Sequence, residues 1–223
     1  MASKQTAKLS IEQLGERWRD HIDWIGEETN YITGHRTRYR LVRDWLVRPR
    51  SRRWSNRHLQ AYGWISRLWL TEGLMSVRRQ LDDQHGSVSL TQLLHEIESR
   101  PEALPGVAAE EVSADRQALQ TTCAPALTFA QRQLAHRVPW DDAFVSMSAL
   151  DAALDAIDNV VRKYHQVIIG RELPPSESEP DPDWLRSFEV AWNRATRRRP
   201  RGAARLQPAT RAHQRPRGSH RRP

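Results

Sequence analysis

The chain has 223 residues, 38% of them apolar and 28% charged, with a net charge of +8, which suits one domain with appendages. A single cysteine, Cys123, excludes an internal disulfide framework, and without a Cys/His cluster at ligand spacing neither a structural zinc nor another cofactor is expected. The opening MASKQTAKLS has no apolar signal region and no stretch approaches about eighteen apolar residues, so the expectation is a cytoplasmic protein that does not contact a membrane.

The positive charge is local. Residues 193–223 hold eleven arginines, four prolines and no acid, leaving 24 basic against 27 acidic residues in the rest of the chain. RRRPRGAARLQPATRAHQRPRGSHRRP has too little apolar surface to offset its ordering entropy and is expected to be disordered. Such a tail can hold RNA by neutralising phosphates, or simply solubilise the chain. The division that follows is a flexible start over 1–9, a helical domain over 10–192 and a disordered basic tail over 193–223.

In chain order, Ser10 with Gln13 three residues on fits a capping box that opens the first helix. Ile11, Leu14, Trp18, Ile22 and Ile25 then recur at helical spacing. The pattern is expected to resume after Gly34 through Leu41, Val42, Trp45 and Leu46, and to stop where Pro49 disfavours helix at Arg48. Ser55 is the expected cap of a second helix carrying Leu59, Ile65, Leu68, Trp69, Met75 and Leu81. Ser89 caps a short one with Leu90, Leu93, Leu94 and Ile97 facing inward, and RPEALPG reads as a loop.

A third long helix is expected from about Ser113 to Arg137, with Leu119, Cys123, Ala126, Leu127, Ala130 and Leu134 on its buried stripe and a kink at Pro125. Ser148 with Asp151 is the expected capping pair of a fourth, which buries Leu150, Leu154, Ile157, Val161, Tyr164 and Ile168 and ends at Gly170. DPDWLRSFEVAWNRA adds a short amphipathic helix docking through Trp184, Phe188 and Trp192. With no strand-like alternation, the expected fold is all-α, an up-and-down four-helix bundle with extra short helices. Most of the nine tryptophans fall at helical core positions, and Cys123 on its apolar stripe is expected to be inert.

Two stretches carry chemistry. In FAQRQLAHRVPW, Arg132 and His136 stand four apart and can share a helix face. Histidine can take and give a proton near neutral pH, and a guanidinium fork suits a phosphate oxygen. Together they can cleave RNA without metal: His136 assists proton transfer at the 2′-hydroxyl or the leaving oxygen, and Arg132 stabilises the charge developing on the phosphate. Asp82, Asp83, Asp141 and Asp142 are acids available to orient the histidine, or to cap helices. The bland reading of the pair is the polar edge of a packed helix.

The second stretch, HRTRYRLVRDWLVRPRSRRWSNRH, holds nine arginines and one acid with Tyr39, Trp45 and Trp54 among them. Arginines interleaved with aromatics suit single-stranded RNA, through phosphate contacts and base stacking. The candidate RNA-binding residues are Arg36, Arg38, Arg40, Arg43, Arg50, Arg52, Arg53 and Trp54. The alternative is a solvated basic face whose tryptophans pack inward, which the helical pattern favours for Trp45.

VRRQLDDQHGSVSLTQLLHEI, AQRQLAHRVPW, LDAALDAIDNVVRKYHQVIIG and the closing DWLRSFEVAW, in that order, resemble the AbiU2-like branch of the HEPN superfamily over most of residues 10–192. The resemblance implies a four-helix bundle, often a homodimer whose signature helices meet at a cleft. Many such proteins are metal-independent endoribonucleases of toxin–antitoxin, abortive-infection or other anti-phage systems, with an antitoxin protein as partner. By position, His136 would be the catalytic histidine and Arg132 the phosphate-binding arginine. The superfamily pattern sets its arginine five to seven residues before the histidine, where this chain has Gln131, Ala130 and Phe129. The tyrosine that some members carry two residues after the histidine is Val138 here. Two functions therefore stand side by side: a HEPN-like RNase acting on RNA, and a non-catalytic HEPN-fold module that binds RNA or another protein.

Overall fold

A computed structural model describes residues 9–47, 56–84, 86–135, 145–175 and Arg186. Among the described residues, five α-helices lie in the unit spanning Met1–Leu185 and no strand occurs. They are α1 (Ile11–Val47), α2 (Asn56–Gln80), α3 (Leu90–Ser99), α4 (Ala109–Phe129) and α5 (Met147–Ile169), with a 3-10 turn at Pro101–Ala103 and a π-helix at Ala130–Ala135. The protein is all-α. Of the second unit, 186–223, only Arg186 is described; it is helical and exposed. The expected helix around Trp184, Phe188 and Trp192 and the basic tail otherwise lie outside the described residues, as do Ser55 and Trp54.

Cross-helix bonds fix the directions of the long helices. Between α1 and α2, Glu28 meets Arg79 and Gln80, His35 meets Glu72 at 3.0 Å, and Tyr39 meets Ser66 at 3.2 Å. Between α1 and α5, Asp23 meets His165 at 3.2 Å, Arg36 meets Asp155 at 2.5 Å, and Arg40 meets Asp151 at 2.9 Å. Between α4 and α5, Asp115 accepts from Tyr164 at 2.9 Å, and Cys123 lies 3.6 Å from the Ala153 carbonyl. Numbers rise on one helix of each pair as they fall on the other. Hence α1, α2, α4 and α5 alternate in direction along the chain.

The core between them is the apolar stripe of each helix: Trp18, Ile22 and Ile25 on α1, Leu74 on α2, Leu93 and Ile97 on α3, Leu119 on α4, and Leu150, Ile157 and Tyr164 on α5, all essentially inaccessible. The close approach of α2 and α5 needs Gly73, where a Cβ would stand 3.0 Å from a Leu150 methyl. α3 lies across the ends of α1 and α4, through Glu96 to Arg17 and Trp18 and through Glu98 to Arg116.

Several boundaries differ from the sequence expectation. α1 runs unbroken through Gly34, which is itself buried. A mid-helix glycine costs about 1 kcal/mol against alanine, but Ile32, Tyr39 and Val42 remain on the packed stripe to either side of it and tertiary burial outweighs that cost. The cap of α5 is Ser146, not Ser148: its backbone is extended and its hydroxyl accepts the Ala149 N–H at 3.1 Å. Asp151 is then free of capping duty and pairs with Arg40. α4 starts at Ala109, four residues earlier than expected; no side chain caps it, and Glu110 and Glu111 in its first turn face the helix dipole instead.

RPEALPG, expected to be a loop, contains the 3-10 turn. Ser89 caps α3 and Gly170, at φ 79°, terminates α5, both as expected. Leu68, assigned to the packed stripe of α2, is exposed. Of the five described tryptophans only Trp18 and Trp69 are buried; Trp45 is half-buried, while Trp24 and Trp64 are exposed.

Candidate active site

Pro125 sits inside α4, where it has no N–H for the Thr121 carbonyl. Ala130 then closes α4 with an N–H shared between the Ala126 and Leu127 carbonyls. From Ala130 to Ala135 the backbone widens to a π-helix, a form that bonds i to i+5, is rare, and recurs at functional sites. Phe129 and Ala130 are buried and anchor the turn, while Gln131 and Arg132 are exposed. Among the described residues Arg132 has no hydrogen-bond or ion-pair partner. His136 follows the last described residue of this segment, and Asp141 and Asp142 also lie outside the described residues.

The arginines of α1 are placed differently. Arg36 is only 8% exposed; its guanidinium donates to the Asp155 carboxylate at 2.5 Å and lies 3.5 Å from the Asp151 carbonyl. Arg40 pairs with Asp151, and Arg43 with its neighbour Asp44 at 2.9 Å. Arg38 is half-buried and also has a polar or electrostatic partner. The described half of the basic run is thus engaged within the fold, much of it against the acids of α5. Arg50, Arg52, Arg53 and Trp54 lie outside the described residues.

Several other titratable groups among the described residues serve the fold. Burial pushes the Glu96 carboxyl up, but hydrogen bonds from Trp18, Arg17 and Gln92 outweigh it and hold the group below its ordinary 4.5. Burial alone pushes the Cys123 thiol up to about 12, which leaves almost no nucleophilic thiolate near neutral pH. Burial lowers His21 against the nearby Glu96. His165, almost wholly buried, has one ring nitrogen 3.0 Å from the Arg171 carbonyl and the other 3.2 Å from Asp23. It ties the segment after α5 to α1.

Sequence reasoning did not single out His165. Its signal was its place beside Tyr164, between Val161 and Ile168 on the apolar stripe of α5. Elsewhere, a cleft of about 310 Å³ is lined by Arg162, Lys163, Gln166, Glu172 and Leu173, but Arg162 pairs with Asp158, and Lys163 with Glu111 and Asp115. Among the described residues no three His, Cys, Asp or Glu side chains are placed to hold a metal ion, and no helix is long and apolar enough to cross a membrane.

What the site offers is one exposed guanidinium on a widened turn at the end of α4, with a histidine four residues further along the sequence. No family model, curated protein or solved structure matches the chain.

Proposed function

We propose that the chain is a HEPN-like endoribonuclease of a toxin–antitoxin or phage-defence system, in which Arg132 and His136 act on a phosphodiester of RNA. The observation that carries this reading is the position of Arg132. It is exposed on the π-helix and unpartnered among the described residues, whereas Arg36, Arg40 and Arg43 are engaged with carboxylates of their own chain. A guanidinium without an internal counter-ion is available to a phosphate.

The 2′-hydroxyl is the nucleophile in this reading. His136 takes its proton or protonates the departing 5′-oxygen, and Arg132 bears on the phosphoryl oxygens as charge builds there. The products are a 2′,3′-cyclic phosphate and a 5′-hydroxyl, and the reaction needs no metal. The test is incubation of pure protein with labelled RNA in excess EDTA. Wild type yields cyclic-phosphate ends, and Arg132→Ala and His136→Ala each lose about a hundredfold or more in rate. Uncut RNA under all conditions, together with healthy cells on induced expression, would end this reading.

A second reading is a non-catalytic HEPN-fold module, favoured by the spacing of four residues between Arg132 and His136 where the superfamily has five to seven. It is distinguished by RNA retention that weakens as salt rises and yields no product.

A further inference from the structure

The outer face of α1 carries Glu12, Glu16, Asp20, Trp24, Glu27 and Tyr31 at intervals of four, four, four, three and four. Residues so spaced are neighbours on one side of a helix, and the stripe runs about 28 Å along it. All six are exposed, Trp24 by 63% and Tyr31 by 58%. None of the four acids takes part in a hydrogen bond or ion pair among the described residues. By contrast, Asp23 and Glu28 of the same helix reach His165 and Arg79.

The basic residues around the stripe leave its charge standing. Residues 11–29 hold six acids against two arginines. Arg17 is turned to Glu96, and Arg19, five residues before Trp24, lies well round the helix from it. The segment after α5 meets α1 at Asp23 and Asn30, and its Arg171 and Glu172 are one of each sign.

Neither the acids nor the rings of this stripe serve the fold. Like charges four apart, as in Glu12, Glu16 and Asp20, weaken a helix, and the two rings leave apolar surface in water. One kind of partner turns both features to advantage. A guanidinium lies flat on an aromatic face while its N–H groups donate to a carboxylate. Asp20 and Glu27 stand within one turn of Trp24, and Glu27 within one turn of Tyr31, so each ring has a carboxylate beside it. An apolar partner would strand the acids, and a nucleic acid would be repelled by them.

We infer that the outer face of α1 from Glu12 to Tyr31 docks an arginine-rich segment of another protein. The two rings receive the guanidinium planes, and the acids set the sign of the charge that is admitted. The inference rests on α1 alone and holds whether or not RNA is cut.

Fluorescence anisotropy of a labelled peptide of alternating arginine and serine, titrated with the full chain, tests it. Wild type holds the peptide at low salt and releases it as salt rises, and the same peptide with glutamate for arginine is not held. Trp24→Ala with Tyr31→Ala weakens binding by about tenfold or more, and Glu16→Lys with Asp20→Lys does the same. Glu110→Lys, which reverses an exposed acid of α4, leaves binding unchanged. Helical circular dichroism is alike throughout, because every altered side chain is exposed. Three results would each overturn the inference. The first is a full chain that fails to hold the peptide at about 100 μM in low salt, its face being closed to a foreign cation. The second is binding that survives the loss of both rings. The third is a Glu110→Lys variant as weak as the Glu16 and Asp20 reversal, the mark of diffuse attraction to any acidic surface.

Discussion

Arginine plays opposite parts at the two ends of the α-helical scaffold. Where α3 crosses α1, Arg17 and the Trp18 ring nitrogen both donate to Glu96, 79 and 78 residues away in sequence. At the end of α4, Arg132 is exposed and bonded to nothing among the described residues. The first arrangement is a polar cluster against a core tryptophan, in which one carboxylate serves two donors and its loss strands both. The second leaves a charge available to an outside ligand. An arginine-rich sequence therefore says little about binding until the acids of neighbouring helices have been matched to it.

Removing the tryptophan at the closed end gives the largest expected effect. Trp18 is fully buried, so Trp18→Ala costs about 3–5 kcal/mol of stability, read as a fall in the urea midpoint. A cost below about 1 kcal/mol would mean that the junction is not part of the core.

Glu96→Ala comes next, at about 2–4 kcal/mol, because Arg17 and the Trp18 N–H are left without their acceptor. The same carboxylate sets a pH dependence. Its folded pKa lies below its ordinary 4.5, so its stabilisation is fully present above 4.5 and is lost as pH falls through the folded value. In Glu96→Gln this contribution is absent, so the stability gap between wild type and variant narrows on acidification below 4.5. A gap constant from neutral pH down to strong acid would show that Glu96 has no special ionic role.

The helices were legible because the chain repeats its apolar residues at a helical period. Leu150, Leu154, Ile157, Val161, Tyr164 and Ile168 are all buried on α5 as their spacing predicts. Local rules failed where a distant partner decided the outcome. Gly34 does not break α1, since the burial of its neighbours outweighs its weak propensity. Leu68 and Trp64 continue the apolar pattern of α2 yet face outward, because period alone cannot say which flank of a broad stripe another helix will cover.

The site was legible only as a motif. The spacing of Arg132 and His136 could be read, but nothing in the helical period marks the π-helix beneath Arg132, and the pairing of Arg36 with Asp155 joins residues 119 apart in sequence. No local pattern carries them.

The choice of cap on α5 sharpens the point with a smaller effect. SMS offers two serines, and a capping-box reading prefers Ser148 for its Asp151; the bond to Ala149 belongs to Ser146. Ser146→Ala is expected to cost about 1 kcal/mol and Ser148→Ala only a few tenths, measured by thermal or urea unfolding. The reverse order would return the cap to Ser148.

The smallest effect on stability is expected at Arg132. With no partner among the described residues to strand, Arg132→Ala should leave the unfolding midpoint where it was, while under the proposed function it removes RNA cleavage. A merely structural arginine would behave oppositely, lowering the midpoint and reducing activity only in proportion to the folded fraction. Arg132→Lys separates the two further. It preserves the charge but not the planar fork, so a residue that grips phosphate through two N–H groups loses most of its activity in lysine. Arg36→Ala supplies the contrast from the closed side: it strands no ligand site but removes the counter-ion of Asp155, so its deficit should appear in the urea midpoint before it appears in RNA turnover.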